Sequence, residues 1–467
     1  MNRRGAPRIA ALALLFALLA FASCLVQIYG RGRLANPVAD ETQYLAYGRT
    51  LAETGSFAAT LRGPSVDPGP GREPGYPLLV AAVIRLDPAL RAGVASCLAA
   101  GDDPRCVSLY NGLRIANAGL FAGAAAAVVL TALALNAPLW VASLAGAYTA
   151  LNFQGMREAR YVMSDPLALF LAALLALALA LAMRRPGSAP RWLWVGLAAG
   201  ILTLTKAIFL FYCFGLGAVL FVLALRRRDR AAMGALLAFA LGAGVPLGGW
   251  AERNRAEYGR LALTDGRGAI VLSAREAFTH MTPGEYAASF VWWTRGPGNA
   301  LARRLLPEKD WHRLELYAPD GFYMQGQFHR YGARVADEAP DGQVGPEANA
   351  RISWRIVREI AARPFAYLAS VLPLFYRGLW VDEFVVIGFP ALVWWAVLAF
   401  RRRRWHWLAA ASPTVFSLFV YAALTINMQR YQLPSIVGLA LATGFALPAL
   451  AVRWRHRREE AARIKPG

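Results

Sequence analysis

The stretch IAALALLFALLAFASCLVQI (residues 9–28), followed ten residues later by ADETQYLAYGRTLAETGSF (39–57), decides how the whole chain is read. The first segment carries no charge and has the length needed to cross ~30 Å of hydrocarbon as a helix. The second opens with adjacent carboxylates, Asp40 and Glu41, which beside a bilayer must face water, a cation or a reacting group. Which side of the membrane they occupy governs what they can do. Arg3, Arg4 and Arg8 before residues 9–28 resemble the start of a signal peptide. The apolar run is long for one and no small-x-small cleavage site follows, so an uncleaved first span is expected.

Apolar stretches of membrane length recur from end to end. Of 467 residues, 57% are hydrophobic and 17% charged, a balance that a soluble fold could not bury without large exposed patches. Ten spans are expected, near 9–28, 107–135, 138–153, 164–183, 191–205, 207–225, 231–250, 384–400, 405–424 and 433–452. The fold class is therefore all-α and polytopic, with about ten transmembrane helices. A net charge of +21 could suggest nucleic acid, but the arginines cluster at span ends. That is the positive-inside pattern, and no nucleic-acid partner is expected. The predicted cytoplasmic segments hold Arg184, Arg185 and Arg191, Arg226 to Arg228 with Arg230, Arg401 to Arg404, and the tail RWRHRREEAARIK. The short outer connections hold Arg157, Arg160, Lys206 and Arg430. This asymmetry places both termini in the cytoplasm, with the spans in the plasma membrane. No internal repeat is found, which weakens an inverted-repeat transporter reading.

Three regions follow: 1–250, a transmembrane region with a large first outer loop (29–106); 251–363, a small extracytoplasmic domain; and 364–467, an interfacial helix and the last spans. In the first outer loop Asp40 is expected as an N-cap, with Gln43 completing a capping box and Gly55 just past the helix end. Tyr44, Tyr47 and Leu51 share a face, which suits a helix lying along the membrane. GYPLLVAAVIRL (75–86) is too short to span. PFAYLASVLPLFYRGLWVDEF (364–384) reads as interfacial, because a span there would put Arg401 to Arg404 outside. Of four cysteines, Cys24 and Cys213 fall inside spans. Cys97 and Cys106 flank the turn-forming Gly101, Asp102, Asp103 and Pro104 on the outer side, where a disulfide between them is expected.

Two constellations carry chemistry. Asp40 and Glu41 suit the positive end of a helix, and they also suit a general base with a second acid that positions an acceptor. The two roles are compatible. The outward cations Lys206, Arg157, Arg160 and Arg430 oppose the positive-inside bias. One lysine could snorkel, but four cations at the ends of separate spans point to an anion, with phosphate the natural choice. Asp165 precedes Pro166 at a helix start, and Glu158 lies between Arg157 and Arg160, close enough in sequence to pair with either. The five histidines are scattered, and no nucleotide fingerprint appears. No cofactor is expected, and a divalent metal is left open.

The motifs also fall in a recognisable order: Asp-Glu opening an outer helix with a trailing Gly-x-Phe, EPGYPLLVA (73–81), ARYVMSDPLALFL (159–171), GLAAGILTLTKAIFL (196–210), WAERN (250–254) and RYQLP (430–434). This order resembles the GT-C superfamily of membrane glycosyltransferases. It resembles in particular the bacterial relatives of protein O-mannosyltransferases and aminoarabinose transferases (family 39-like). The resemblance implies a polyprenyl-phosphate-linked sugar donor and transfer on the outer face, with Asp40 as base and Glu41 beside it. It offers Lys206, Arg157, Arg160 and Arg430 for the lipid phosphate. Tyr44, Arg72, Tyr76, Glu158, Asp165, Arg253, Asn254 and Tyr431 are further site candidates. Direct attack on the anomeric carbon would invert it. The acceptor class, whether protein, lipid or polysaccharide, stays open. The alternative is a flippase or transporter of a lipid-linked sugar, which would need a polar path that these spans, nearly free of ionisable residues, do not offer.

Overall fold

The computed structural model describes residues 6–30, 34–59, 71–264, 267–339 and 344–447. Arg3, Arg4, the basic tail and the end of the last expected span lie outside them. The chain is a helical bundle. Helix α1 (Ala6–Gly30) leads into the expected first outer region, built from α2 (Asp40–Thr54), α3 (Gly75–Leu86) and α4 (Pro88–Ala100). A 3₁₀ turn then feeds α5 (Asn111–Ala134), followed by α6 (Leu139–Ala150), the short α7 (Phe153–Glu158), α8 (Asp165–Arg184), α9 (Ala189–Thr205), α10 (Phe209–Arg227) and α11 (Arg230–Tyr258). The expected second outer region comprises α12 (Arg267–Ala277), α13 (Pro283–Trp292), α14 (Gly298–Leu305), α15 (Glu308–Trp311), α16 (Phe322–Met324), α17 (Tyr331–Glu338) and α18 (Pro346–Ala361). Helices α19 (Pro364–Leu379), α20 (Val385–Arg401) and α21 (Trp405–Leu424) follow, and α22 is described over 436–447.

Among the described residues, six helices are long and apolar enough to cross a membrane by length and composition. The expected spans 138–153, 191–205 and 384–400 coincide with shorter helices, and the helix within 433–452 is described over 436–447. Helix α6 has 12 residues rather than the whole of 138–153. It stops where the Asn152 side chain turns to cap α7, accepting from the Gly155 N–H at 2.8 Å. Helix α11 is longer than expected and continues eight residues past 250, to a left-handed Gly259. Small residues set the packing distance between spans. A Cβ on Gly196 of α9 would strike the Phe239 carbonyl of α11, and one on Gly242 of α11 would strike the Leu193 carbonyl. The two backbones therefore touch.

Helix α19 is two-faced. Phe365, Leu368 and Leu372 are exposed, while Ser370, Leu374 and Arg377 are buried. That stripe is the surface that an interfacial helix needs. The two outer regions come together over the extracytoplasmic ends expected for α5, α8 and α21, and the candidate site lies between them.

Candidate active site

Asp40 is not an N-cap, as the sequence suggested, but the first residue of α2. The cap is Ala39, at φ 50° with no side-chain bond. This positive φ is uncommon for a residue with a Cβ. It frees the Asp40 carboxylate from capping and turns it toward arginines. Arg72 donates to Oδ1, Arg430 Nη2 lies 3.1 Å from Oδ2, and Arg267 Nη2 lies 3.5 Å from Oδ1. Gln43 completes no capping box either, since its Oε1 accepts from Arg72 Nε at 2.7 Å. Arg72 is 1% exposed and sits 4.7 Å from the Tyr44 ring centre, so it is a fixed strut. Burial would raise the Asp40 pKa, but the attraction of Arg72, Arg267 and Arg430 outweighs it. The carboxyl is held well below its ordinary range. Its side chain is 34% exposed and reaches the cavity.

Glu41 takes a different part. It is buried, and its oxygens accept from the N–H of Val162 at 2.7 Å and of Val38 at 3.2 Å. It thereby clasps the start of α2 to the 159–164 segment. Burial pushes its pKa up, against the pull of those two amides.

The space in front of Asp40 has two lobes. The first, about 650 Å³, is lined by Asp40, Glu41, Tyr161, Tyr323, Phe328 and others. The second, about 750 Å³, is lined by Trp292, Trp293, Arg295, Arg303, Arg377 and others. Arg157, Glu158, Tyr317, Met428 and Arg430 line both and form the threshold between them. Arg430 is placed by a pinned loop. Asn427 takes the left-handed conformation (φ 48°) that asparagine tolerates, and its amide donates to the Leu374 carbonyl at 2.8 Å. The amide packs where Gly378 has no side chain. Glu158 is held by a relay in which Glu383 pairs with Arg295, Arg295 donates to Gln154, and Gln154 donates to Glu158. Burial, with repulsion from Asp165, raises the Glu158 pKa to about 7.

The expected site residues thus divide. Asp40, Glu41, Arg157, Glu158 and Arg430 meet at the cavity, with Arg72 and Tyr44 behind Asp40. Lys206 does not line either lobe. Its Nζ lies 2.8 Å from Asp165 Oδ1, with 14% and 1% of the two side chains exposed. Arg160 also lies outside the linings, and its carbonyl accepts from Arg114. Tyr76 is buried against Asn117. Tyr431 stacks on Tyr421 behind Arg430. Arg253 lies against Trp250, Phe57 and Tyr258, and Asn254 donates to the Ala262 carbonyl, both outside the two linings. The sequence reading missed Arg267, Arg295, Arg303 and Arg377, which the second outer region and α19 supply. Among the described residues no group of three or more His, Cys, Asp or Glu is placed to hold a metal ion.

Residues 104–240 match the family model of dolichyl-phosphate-mannose-protein mannosyltransferase. No curated protein matches the sequence. The apo oligosaccharyltransferase of Archaeoglobus fulgidus is similar in structure, with a TM-score of 0.51 at 13% identity over 98% of this chain and 52% of that one. The same organism's oligosaccharyltransferase AglB, in complex with an inhibitory peptide and a dolichol-phosphate, aligns with a TM-score of 0.49 at 10% identity, over 98% of this chain and 52% of that one. ArnT from Cupriavidus metallidurans, bound to undecaprenyl phosphate, aligns with a TM-score of 0.35 at 16% identity, over 93% of this chain and 78% of that one. The chain spans about half the length of the oligosaccharyltransferases it matches. It is a multi-pass membrane protein with the fold of the GT-C glycosyltransferases.

Proposed function

We propose that this GT-C-fold chain is a glycosyltransferase. It takes a sugar from a polyprenyl-phosphate-linked donor and passes it, with inversion, to an acceptor on the outer face of the membrane. One observation carries the reading: an accessible carboxylate at a helix start faces a cavity whose threshold is built from Arg157 and Arg430. The acceptor hydroxyl attacks the anomeric carbon and gives its proton to Asp40. The bond from that carbon to the phosphate oxygen breaks, and the polyprenyl phosphate leaves with growing negative charge beside Arg430 and Arg157. A positioned base contributes ~10²–10⁴-fold, and preorganised cations on a leaving anion supply a few kcal/mol each, on the order of one oxyanion donor.

Three arginines around Asp40 make it a weak base while no donor is bound. A donor phosphate competes for Arg430 and Arg267, which loosens their hold and restores basicity to Asp40, while buried Arg72 keeps it in place. Glu41 acts through the backbone by fixing the start of α2. Lys206 has no direct part in this scheme. The outer-face placement rests on the arginine asymmetry between the two ends of the spans.

Mass spectrometry of lipid-linked sugars and surface glycans tests the reading in a deletion strain and in one complemented with Asp40→Asn. Both strains should accumulate a polyprenyl-phosphate sugar and lack one glycan residue. Unchanged glycans in the deletion strain would refute the function. A flippase would give the same accumulation in cells, but the detergent-purified protein would then transfer no sugar from the accumulated lipid.

A further inference from the structure

The second lobe holds more positive charge than a lipid phosphate requires. A phosphodiester brings one negative charge, and Arg157 and Arg430 stand at the threshold to meet it. Deeper in the lobe lies Arg377, on the inward face of α19. It is 8% exposed and forms no ion pair among the described residues. Its contacts are one hydrogen bond from Nη1 to the Ile426 carbonyl at 3.3 Å and the ring of Trp293, 5.0 Å from its guanidinium carbon. The ionisable groups that act on it most are the hydroxyls of Tyr431, Tyr323 and Tyr317.

Buried arginines without a carboxylate are costly. Arg275, nearly as deep, shows how this fold satisfies one structurally: it donates to the carbonyls of Ala422, Ala423 and Tyr367 and to the Ser370 hydroxyl. Among the described residues Arg377 has no such cage, and its fork lines an open cavity beside two tryptophans. The other two arginines of the lobe are already paired, Arg295 with Glu383 and Arg303 with Glu315. Arg377 alone is left for an incoming oxyanion, which a guanidinium binds in bidentate fashion. The tryptophans suit the apolar face of a sugar ring.

We propose that the saccharide bound in this lobe is acidic, with its own carboxylate seated on Arg377 while the donor phosphate sits at Arg157 and Arg430. This rests on reading the two lobes as the substrate chamber. The test is calorimetric titration of the full-length protein in detergent with an oligogalacturonate, with its neutral oligogalactose counterpart, and with undecaprenyl phosphate. The uronate should bind at least tenfold more tightly than the neutral sugar. Arg377→Gln should erase that preference and leave undecaprenyl phosphate binding unchanged, whereas Arg377→Lys should retain part of it. Equal binding of the neutral sugar by the wild-type protein would overturn the proposal without need of any variant. So would an Arg377→Gln protein that loses undecaprenyl phosphate instead, which would assign Arg377 to the lipid. Asp40→Asn should keep the uronate preference while losing turnover. If it keeps both, the base assignment fails and the acidic subsite stands.

Discussion

Lys206 and Asp165 show what a sequence can and cannot say about one residue. A lysine among apolar neighbours announces that something must hold its charge, and the reading offered a phosphate. The structure gives it Asp165, which is 1% exposed and 41 positions away. Lys206→Ala should therefore act on stability first. Stranding a buried carboxylate costs about 3–5 kcal/mol, readable as a large fall in melting temperature in detergent, and a normally stable Lys206→Ala protein would contradict the pairing. Glu158 gives a pH signature. Its pKa is raised from 4.5 to about 7 in the folded protein, so its contribution to stability is present below about 4.5 and lost as pH rises through 7. The expected loss is on the order of 3 kcal/mol. The wild-type melting temperature should fall between pH 5 and pH 8 relative to Glu158→Gln, and parallel curves would refute the shift. Arg157 and Arg430 were legible because outward cations oppose the positive-inside bias, and Asp40 because adjacent carboxylates beside a bilayer need water, a cation or a reacting group. Arg267 and Arg377 were not, since they sit in aqueous or interfacial segments where an arginine violates nothing, and only tertiary packing brings them to Asp40 and the cavity.

At the scale of elements, apolar length located the long helices well, because a bilayer demands long uncharged helices whatever their neighbours. It overestimated α6, where Asn152 ends the helix through a capping bond and a buried link to Asp382 that hydropathy does not register. It also could not see the strut behind Asp40, since Arg72 lies in a different element from the residues it braces. In the first outer region the structure pairs Cys97 at the end of α4 with Cys106 in the 3₁₀ turn, with Cα atoms 5.6 Å apart. Cys106 packs with Leu90, Val94 and Tyr110 in one apolar cluster. Closing so short a loop contributes roughly 2–3 kcal/mol. A Cys97→Ser protein should lose about that much stability, and alkylation of the denatured wild-type protein should find only Cys24 and Cys213 free. Four free thiols would contradict the bridge.

For the whole molecule, the scheme requires both outer regions on one side of the membrane, over the ends of the spans that carry Arg157 and Arg430. Exposed Ser56 and Lys309, replaced singly by cysteine, should react with an impermeant thiol reagent in intact spheroplasts. Protection of both until lysis would put the site on the wrong face for the proposed reaction. Within that arrangement Asp40 takes the acceptor's proton, while Glu158, whose pKa is better matched to neutral pH, does not. Asparagine keeps the size of Asp40 and the fit at the start of α2 but cannot accept that proton. The decisive measurement is single-turnover transfer from the lipid-linked donor by purified Asp40→Asn and Glu158→Gln proteins, with melting temperatures taken on the same samples. Both proteins should fold, with Asp40→Asn slowed by roughly two to four orders of magnitude and Glu158→Gln by far less. Near wild-type transfer by Asp40→Asn, with the loss falling on Glu158→Gln instead, would contradict the assignment of Asp40 as base.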